Sequence, residues 1–436
     1  MTKPAPVTER RYILPLAMVT SLFFVWAIGV NLNDVLIQHL KKAFGLTDFQ
    51  SSLIQSAFFG GYFLAALPAG WIMQRIGYKR GILMGLAVCA TGTILFIPAA
   101  SARVYAFFLF ALFVMACGQS VLEVAANPYV TTLGPAESSE QRLNLAQSFN
   151  AMGAFLVALL GSKFILSGIE YTAAQQAAMT PSQMLSYRIS EANMVKTPYL
   201  VITGIFLLIA VLIFFTKLPE IQESSDAGPG NAKAKLSGAI AFPHLIKGVL
   251  AQFCYVGAQV GVASFIIRFS EFTLAGTHEK AAARFLQAHL FGFMLGRFSG
   301  SAIMHKIAPS RLLSIFAGCS LLCLTIILLG SGVPTVAAIV LLGFFHSIMF
   351  PTIFALSIKS LGSYTKLGSS LLVMSIIGGA VCPAIMGRIS DAWNIQRAFL
   401  IPLLCHAYVL YFAVRGYRPA TSLTVGGEVA VPAGEV

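Results

Sequence analysis

Charge is what this chain has least of. Asp, Glu, Lys and Arg make up 10% of its 436 residues, where soluble chains carry roughly a quarter. Acids are the scarcer sign, 16 against 29 Lys and Arg. With 57% hydrophobic residues, that balance excludes an ordinary soluble domain and places the chain among membrane proteins, with the lipid bilayer as its surroundings. The net charge of +13 does not indicate nucleic acid, because the basic residues are scattered over short loops and build no stripe on a soluble face. CxxC spacing is missing. The seven cysteines, Cys89, Cys117, Cys254, Cys319, Cys323, Cys382 and Cys405, all sit in hydrophobic runs, which excludes a disulfide framework and a zinc site. HExxH, paired histidines and the phosphate-binding GxxxxGK[ST] loop are also missing. No metal, no cofactor and no ATP-driven pump is expected, and the chain does not read as an enzyme.

What is present is a series of apolar runs. A helix needs about 20 mostly apolar residues to cross about 30 Å of hydrocarbon. Runs of that kind begin near Tyr12, Phe49, Gly81, Val104, Leu143, Pro198, Leu245, Ala282, Leu312, Val333, Leu367 and Ala398. The fold class expected is therefore all-α integral membrane, with 12 transmembrane helices in two six-helix bundles. Lys3, Arg10 and Arg11 precede a stretch longer than a signal-peptide core and without a small-residue cleavage site, so it reads as a retained first span. An even count puts both ends of the chain on one side. Taking that side as the inside gives it 17 Lys and Arg against 11 outside, with Arg297 inside a span. The excess predicts cytoplasmic termini in a cell inner (plasma) membrane.

One polar stretch, PEIQESSDAGPGNAKAKLS from Pro219 to Ser237, is too rich in Gly, Ser, Pro and charge to bury a core. It divides the chain into residues 1–218, an N-terminal six-helix bundle; 219–241, a cytoplasmic linker; 242–418, a C-terminal six-helix bundle; and 419–436, a small polar cytoplasmic tail. The two bundles share a weak repeat. At an offset of 231 residues Gly61, Met73, Ile76 and Arg80 fall on Gly292, Met304, Ile307 and Arg311, and Arg75 falls on Lys306. Parallel six-span repeats around a central site are a known construction of transporters.

Against this background the polar residues within spans stand out. Of the 16 acids, only Asp34 and Glu123 lie in long apolar segments, where a carboxylate costs at least about 2.5–3.5 kcal/mol. Asp34 follows Asn31 by three residues towards the outer end of the first span. In the fourth, Gln119, Glu123 and Asn127 are spaced i, i+4, i+8 on one helix stripe. The fifth adds Asn144, Gln147 and Asn150, and the seventh adds Gln252, Tyr255 and Gln259. A single amide in a span is most simply an interhelical hydrogen bond. Four helices each with a polar stripe point instead to a water-accessible cavity suited to a small neutral polyol, since amides both donate and accept. Tyr255 and Trp26 offer rings for stacking or for packing. Two carboxyls with no evident cationic partner suggest proton carriage, because removal from water favours the neutral form. Asp34 could alternatively sit at a span end facing water. Arg297, close to the inner loop, reads as a residue that snorkels or caps a helix end. His289, His346 and His406 have no spacing that suggests a metal.

The blocks SLFFVWAIGVNLNDVLIQHL, LEVAANPYVTTLGP, RLNLAQSFN, LAQFCYVGAQ and FPTIFALSIKSLG resemble the L-fucose:proton symporters of the fucose–galactose–glucose symporter family, in the major facilitator superfamily. The resemblance runs from about Ser21 to Arg418. It implies alternating access and proton-coupled uptake of a hexose or deoxyhexose by a monomer. It also implies that Asp34 and Glu123 carry the proton, with sugar contacts at Asn31, Gln147 and Asn150. Glu123 favours H+ as the coupling ion, since some glucose/galactose relatives carry Gln there and use Na+. Fucose-type members have Gln-Tyr before the proline of the tenth span where this chain has Met349-Phe350, which points towards another deoxyhexose or an N-acetylhexosamine. Alternatives of other kinds are a passive facilitator, which needs no titrating carboxyl within its spans, and a receptor, which more often carries a sizeable soluble domain.

Overall fold

The computed structural model describes residues 6–44, 48–165, 175, 178–219, 234–274, 276–419, 424–425 and 428–429. Helices dominate. The first half contains α1 (Ile13–Phe44), α2 (Asp48–Ala102), α3 (Tyr105–Thr132), α4 (Ser139–Ile165), α5 (Pro181–Met194) and α6 (Lys196–Phe215). The second contains α7 (Pro243–Thr273), α8 (Glu279–Ile303), α9 (Pro309–Leu329), α10 (Val333–His346), α11 (Met349–Ile358), α12 (Thr365–Met374), α13 (Gly378–Ala392) and α14 (Leu400–Tyr411).

Among the described residues ten segments are long and apolar enough to cross a membrane. One of them, Leu53–Ala102, has 50 residues, about 75 Å of helix, more than twice the roughly 30 Å to be crossed. It doubles back at Gly77, whose φ of 77° suits a residue without a Cβ, and so crosses twice. The more polar α8 completes the twelve. Residues α10 with α11, and α12 with α13, make one crossing each, interrupted near Ser347–Ile348 and at Ser375–Ile377. The expected span starts fall close to these helix starts, or to the Gly77 break for the third span.

Helix α5 was not anticipated. Its start was nonetheless legible: Thr180 accepts from the Gln183 amide N–H, Gln183 accepts from the Thr180 N–H, and Pro181 occupies the first turn. That is a capping box, and it orders an otherwise polar connection between the fifth and sixth spans. The centre of the expected linker, 220–233, and most of the tail lie outside the described residues. Within the tail, Thr424–Val425 pairs antiparallel with Glu428–Val429.

Large apolar side chains such as Leu207, Leu208, Leu322 and Leu404 are each more than 45% exposed. In water so much exposed apolar surface would be a liability; in hydrocarbon it is the ordinary outer surface of a span. Inside, Trp26, Tyr62, Tyr129, Tyr199 and Tyr255 are buried. The repeat read from the sequence has a counterpart in packing. Gly61 lets α2 approach Ala116 of α3, and Gly292 lets α8 approach Phe344 of α10, so second and fourth spans pair alike in both halves.

The halves meet along two antiparallel helix pairs. In the first, α4 runs along α8. Gln141 and Ser301 exchange side-chain-to-backbone bonds of 3.0 and 3.2 Å, Phe149 meets Phe298 and Phe155 meets Phe291. In the second, α2 runs along α12 and α13, with Gly70 against Ser370 and Lys366, and Phe59 against Gly379. Lys366 also lies over the Tyr78 ring. Lys359 pairs with the buried Glu140 at 3.3 Å. Most of these contacts lie towards one end, where α2 turns at Gly77 and α6 runs out: Lys79 donates to the carbonyls of Phe214 and Thr216 at 3.0 and 2.8 Å. The chain start is fastened at that end too. Thr8 donates to Leu133 O, and the buried Arg142 donates to the carbonyls of Val7, Val130, Thr131 and Pro135. The bundles are therefore in contact on the linker side.

Candidate polar site between the bundles

The centre of the interface is built from helix stripes. Spacing of i, i+4, i+8 on α3 puts Gln119, Glu123 and Asn127 in one row, at 0%, 8% and 0% exposure. Gly29 of α1 makes room for this row, since a Cβ there would lie 3.1 Å from the Gln119 amide nitrogen. From α2, Tyr62 donates its hydroxyl to Glu123 Oε1 at 3.4 Å. From α4, Gln147 donates to Asn127 Oδ1 at 3.0 Å. Arg297 of α8 then crosses from the other bundle and donates to the backbone oxygen and to Oε1 of Gln147 at 2.6 and 3.0 Å.

Arg297 corrects the sequence reading most clearly. It does not snorkel: its side chain is buried and lies over the Phe293 ring at 4.6 Å. It does cap a helix end, but inside the protein, where its Nε donates to Ser347 O at the end of α10 at 2.9 Å. It also interacts electrostatically with Glu123 and with Tyr255, so Glu123 does have a cationic neighbour. The signal was present in the sequence, as a lone arginine in a span is a functional candidate by default. Its partner, a backbone carbonyl 50 residues away, was not.

The other expected residues divide. Asn31 donates to Ala27 O of its own helix at 2.8 Å, and Asn150 donates to Phe23 O of α1 at 3.3 Å; both are half-buried. Asn144 bonds across the interface to Thr352 Oγ1 at 3.0 Å. Asp34 is in α1, but its side chain lies outside the described residues. On α7, Gln252 is wholly buried and Gln259 half-buried, and neither hydrogen-bonds to the network. Tyr255 is wholly buried and donates its hydroxyl to His346 O at 2.8 Å, so the hydroxyl is engaged by the protein. Tyr255→Phe should therefore cost about 1 kcal/mol of stability, measured as a lower Tm, with little loss of ligand affinity. Trp26 is stacked on Phe23 at 5.1 Å within the core, which is packing. Tyr62 escaped the sequence reading because tyrosine at an apolar position is unremarkable until its partner is known. So did the convergence of His289, His346 and His406, with ring centroids 6.0 and 4.7 Å apart in succession.

Seven buried polar atoms of these stripes have no hydrogen-bond partner among the described residues: both amide atoms of Gln119 and of Gln252, Asn127 Nδ2, Asn144 Oδ1 and Glu123 Oε2. Leaving such an atom unpaired costs about 1–3 kcal/mol. Donors and acceptors mixed in this way, next to one carboxyl and one guanidinium, are chemistry for holding a polar solute away from water.

Twelve spans in two bundles around a buried polar site define a secondary transporter of the membrane. The sequence pattern of the Major Facilitator Superfamily matches residues 18–375, and the chain belongs to that superfamily. It is similar to the L-fucose-proton symporter of Escherichia coli (strain K12), 44% identical with 95% of each chain covered. It is also similar to the glucose/galactose transporter of Brucella abortus, 42% identical over 94% of this chain and 96% of the relative. The crystal structure of a Major Facilitator Superfamily transporter, FucP, in the outward conformation superposes with a TM-score of 0.86 at 42% identity, over 93% of this chain and 99% of that one.

Proposed function

We propose that the protein is a proton-coupled sugar symporter that takes up a hexose or deoxyhexose of the L-fucose kind by alternating access. The observation that carries this reading is Glu123: a buried carboxyl, one oxygen without a hydrogen-bond partner among the described residues, in a row with Gln119 and Asn127 whose amide nitrogens also lack one. A neutral polyol satisfies such amides. A carboxyl that turns neutral on protonation lets the loaded site cross the low-dielectric interior, and the same carboxyl ionises where the site is wet. The sugar transport named for the two relatives supports the substrate class.

In this reading the proton is carried by Glu123 and exchanged with the medium through Asp34. Sugar contacts come from Asn31, Asn127, Gln147, Asn150, Gln252, Tyr255 and Gln259. The coupling ion is H+, no cofactor is needed, and the monomer is the transporting unit. It resides in the inner membrane with both termini cytoplasmic, so the contacts on the linker side close the cytoplasmic side of the site. Residues 1–218 and 242–418 are the two moving bodies, with 219–241 as linker and 419–436 as tail.

Proteoliposomes offered a panel of hexoses, deoxyhexoses and N-acetylhexosamines test the proposal. Addition of the right sugar should raise external pH, and an uncoupler should abolish accumulation. Uptake that follows a sodium gradient and ignores pH would disprove proton coupling.

A further inference from the structure

A proline sits one turn into α11. Pro351 has no N–H, so the carbonyl four residues earlier, Ser347 O, has no helical donor. Here α10 ends at His346 and α11 begins at Met349, so the tenth span is broken in mid-membrane. Unpaired backbone groups are not tolerated there without a substitute. Two side chains of the same bundle supply it: Tyr255 donates to His346 O at 2.8 Å, and Arg297 Nε donates to Ser347 O at 2.9 Å.

The other side of the Arg297 fork faces the other bundle. Nη1 holds the backbone oxygen and Oε1 of Gln147, while the Gln147 amide nitrogen holds Asn127. Both ends of that amide are thus engaged by protein, unlike those of Gln119 and Gln252. A sugar hydroxyl that donates to Gln147 Oε1 shares that oxygen with Arg297 and competes with the guanidinium for it. The guanidinium is buried, so water does not make up the loss. A nearby acceptor with a free position is Glu123 Oε2. Turning towards it pulls the fork, which is planar and stiff, away from Ser347 O.

We infer that Arg297 is a positioning residue that relays occupancy of the polar site to the break between α10 and α11, because a sugar that bonds to Gln147 Oε1 competes there with the guanidinium that also holds Ser347 O. The relay rests on the sugar reading given above. It explains why an arginine is placed where it joins a broken span of one bundle to a polar stripe of the other. It also makes Gln147 a ligand that becomes available on binding.

Spin labels at the exposed Lys217 and Lys306, one on each half at the linker side, report bundle separation by pulsed electron resonance, and calorimetry gives sugar Kd. In the otherwise unaltered protein, sugar should change the distance distribution. Arg297→Gln should bind sugar with equal or lower Kd, since the competitor for Gln147 is gone, and should lose the sugar-induced change. Arg297→Lys, whose compact ammonium cannot span both partners, should show a reduced change. If Arg297→Gln fails to fold, the lysine variant decides. A sugar response of full amplitude in a folded variant overturns the relay. A Kd raised about tenfold or more in both variants also overturns it, by making Arg297 a direct sugar ligand. If the protein without these substitutions binds no sugar in the panel, the sugar reading falls and the relay with it. Normal binding with an undiminished response in the variants sinks the relay alone.

Discussion

Glu123→Gln should keep exchanging sugar across the membrane and lose accumulation altogether. Glutamine is close in shape to a protonated glutamate and is neutral at every pH, so it stands in for the loaded form of the site. Its amide can accept from Tyr62 as Oε1 of Glu123 does, and the row from Gln119 to Asn127 is undisturbed. It cannot release a proton, and an empty carrier that never ionises has no step driven by the gradient. The size of the effect follows from the gradient. Moving one charge inward is worth about 2.3 kcal/mol per 100 mV, and one pH unit adds about 1.4 kcal/mol. Together these sustain a sugar gradient of several hundredfold at about tenfold per 1.4 kcal/mol. In the variant that ratio should fall to unity while counterflow of labelled sugar continues. Intact accumulation would remove Glu123 from the coupling step.

The second large effect is steric. Gly70 of α2 lies so close to α12 that a Cβ would meet the Ser370 hydroxyl at 2.1 Å and the backbone oxygen of Lys366 at 3.1 Å. The hydroxyl can rotate away, whereas a helix backbone cannot without moving the helix. Gly70→Leu should therefore wedge the two bundles apart on the linker side. Overpacking of this kind costs about 1–3 kcal/mol, all of it charged to the conformation in which the bundles touch. A difference of that size shifts the balance between two conformations by about 5- to 150-fold. Labels at Lys217 and Lys306 should show the longer distance without any sugar, and net uptake should fall in proportion. A distance distribution like that of the parent protein would mean that α2 and α12 can close around a larger side chain.

Much of the site was legible because helix geometry is local. Spacing alone put Gln119, Glu123 and Asn127 on one stripe, and composition alone made Glu123 conspicuous, since a carboxyl in an apolar run is costly wherever that run packs. Spacing could not say what each amide holds. Asn31 and Asn150 bond to backbone oxygens, whereas Gln119 and Gln252 have no hydrogen-bond partner among the described residues, although all four are equally plausible ligands by residue type. Arg297 was misjudged because its distance from a helix end suggested water within reach. In the folded protein another bundle covers that end, and the guanidinium finds carbonyl groups there.

The number of spans, their division into two halves, the even count that returns the chain to its starting side and the pair of candidate proton carriers were determined by the sequence itself. Hydrocarbon thickness and the cost of charge act on each segment separately. Which carbonyl Arg297 holds, how Pro351 leaves Ser347 needing that bond, and where Gly70 lets the bundles touch were decided by tertiary structure. Each depends on residues far apart in the chain, and nothing short of packing the two bundles brings them within hydrogen-bond range.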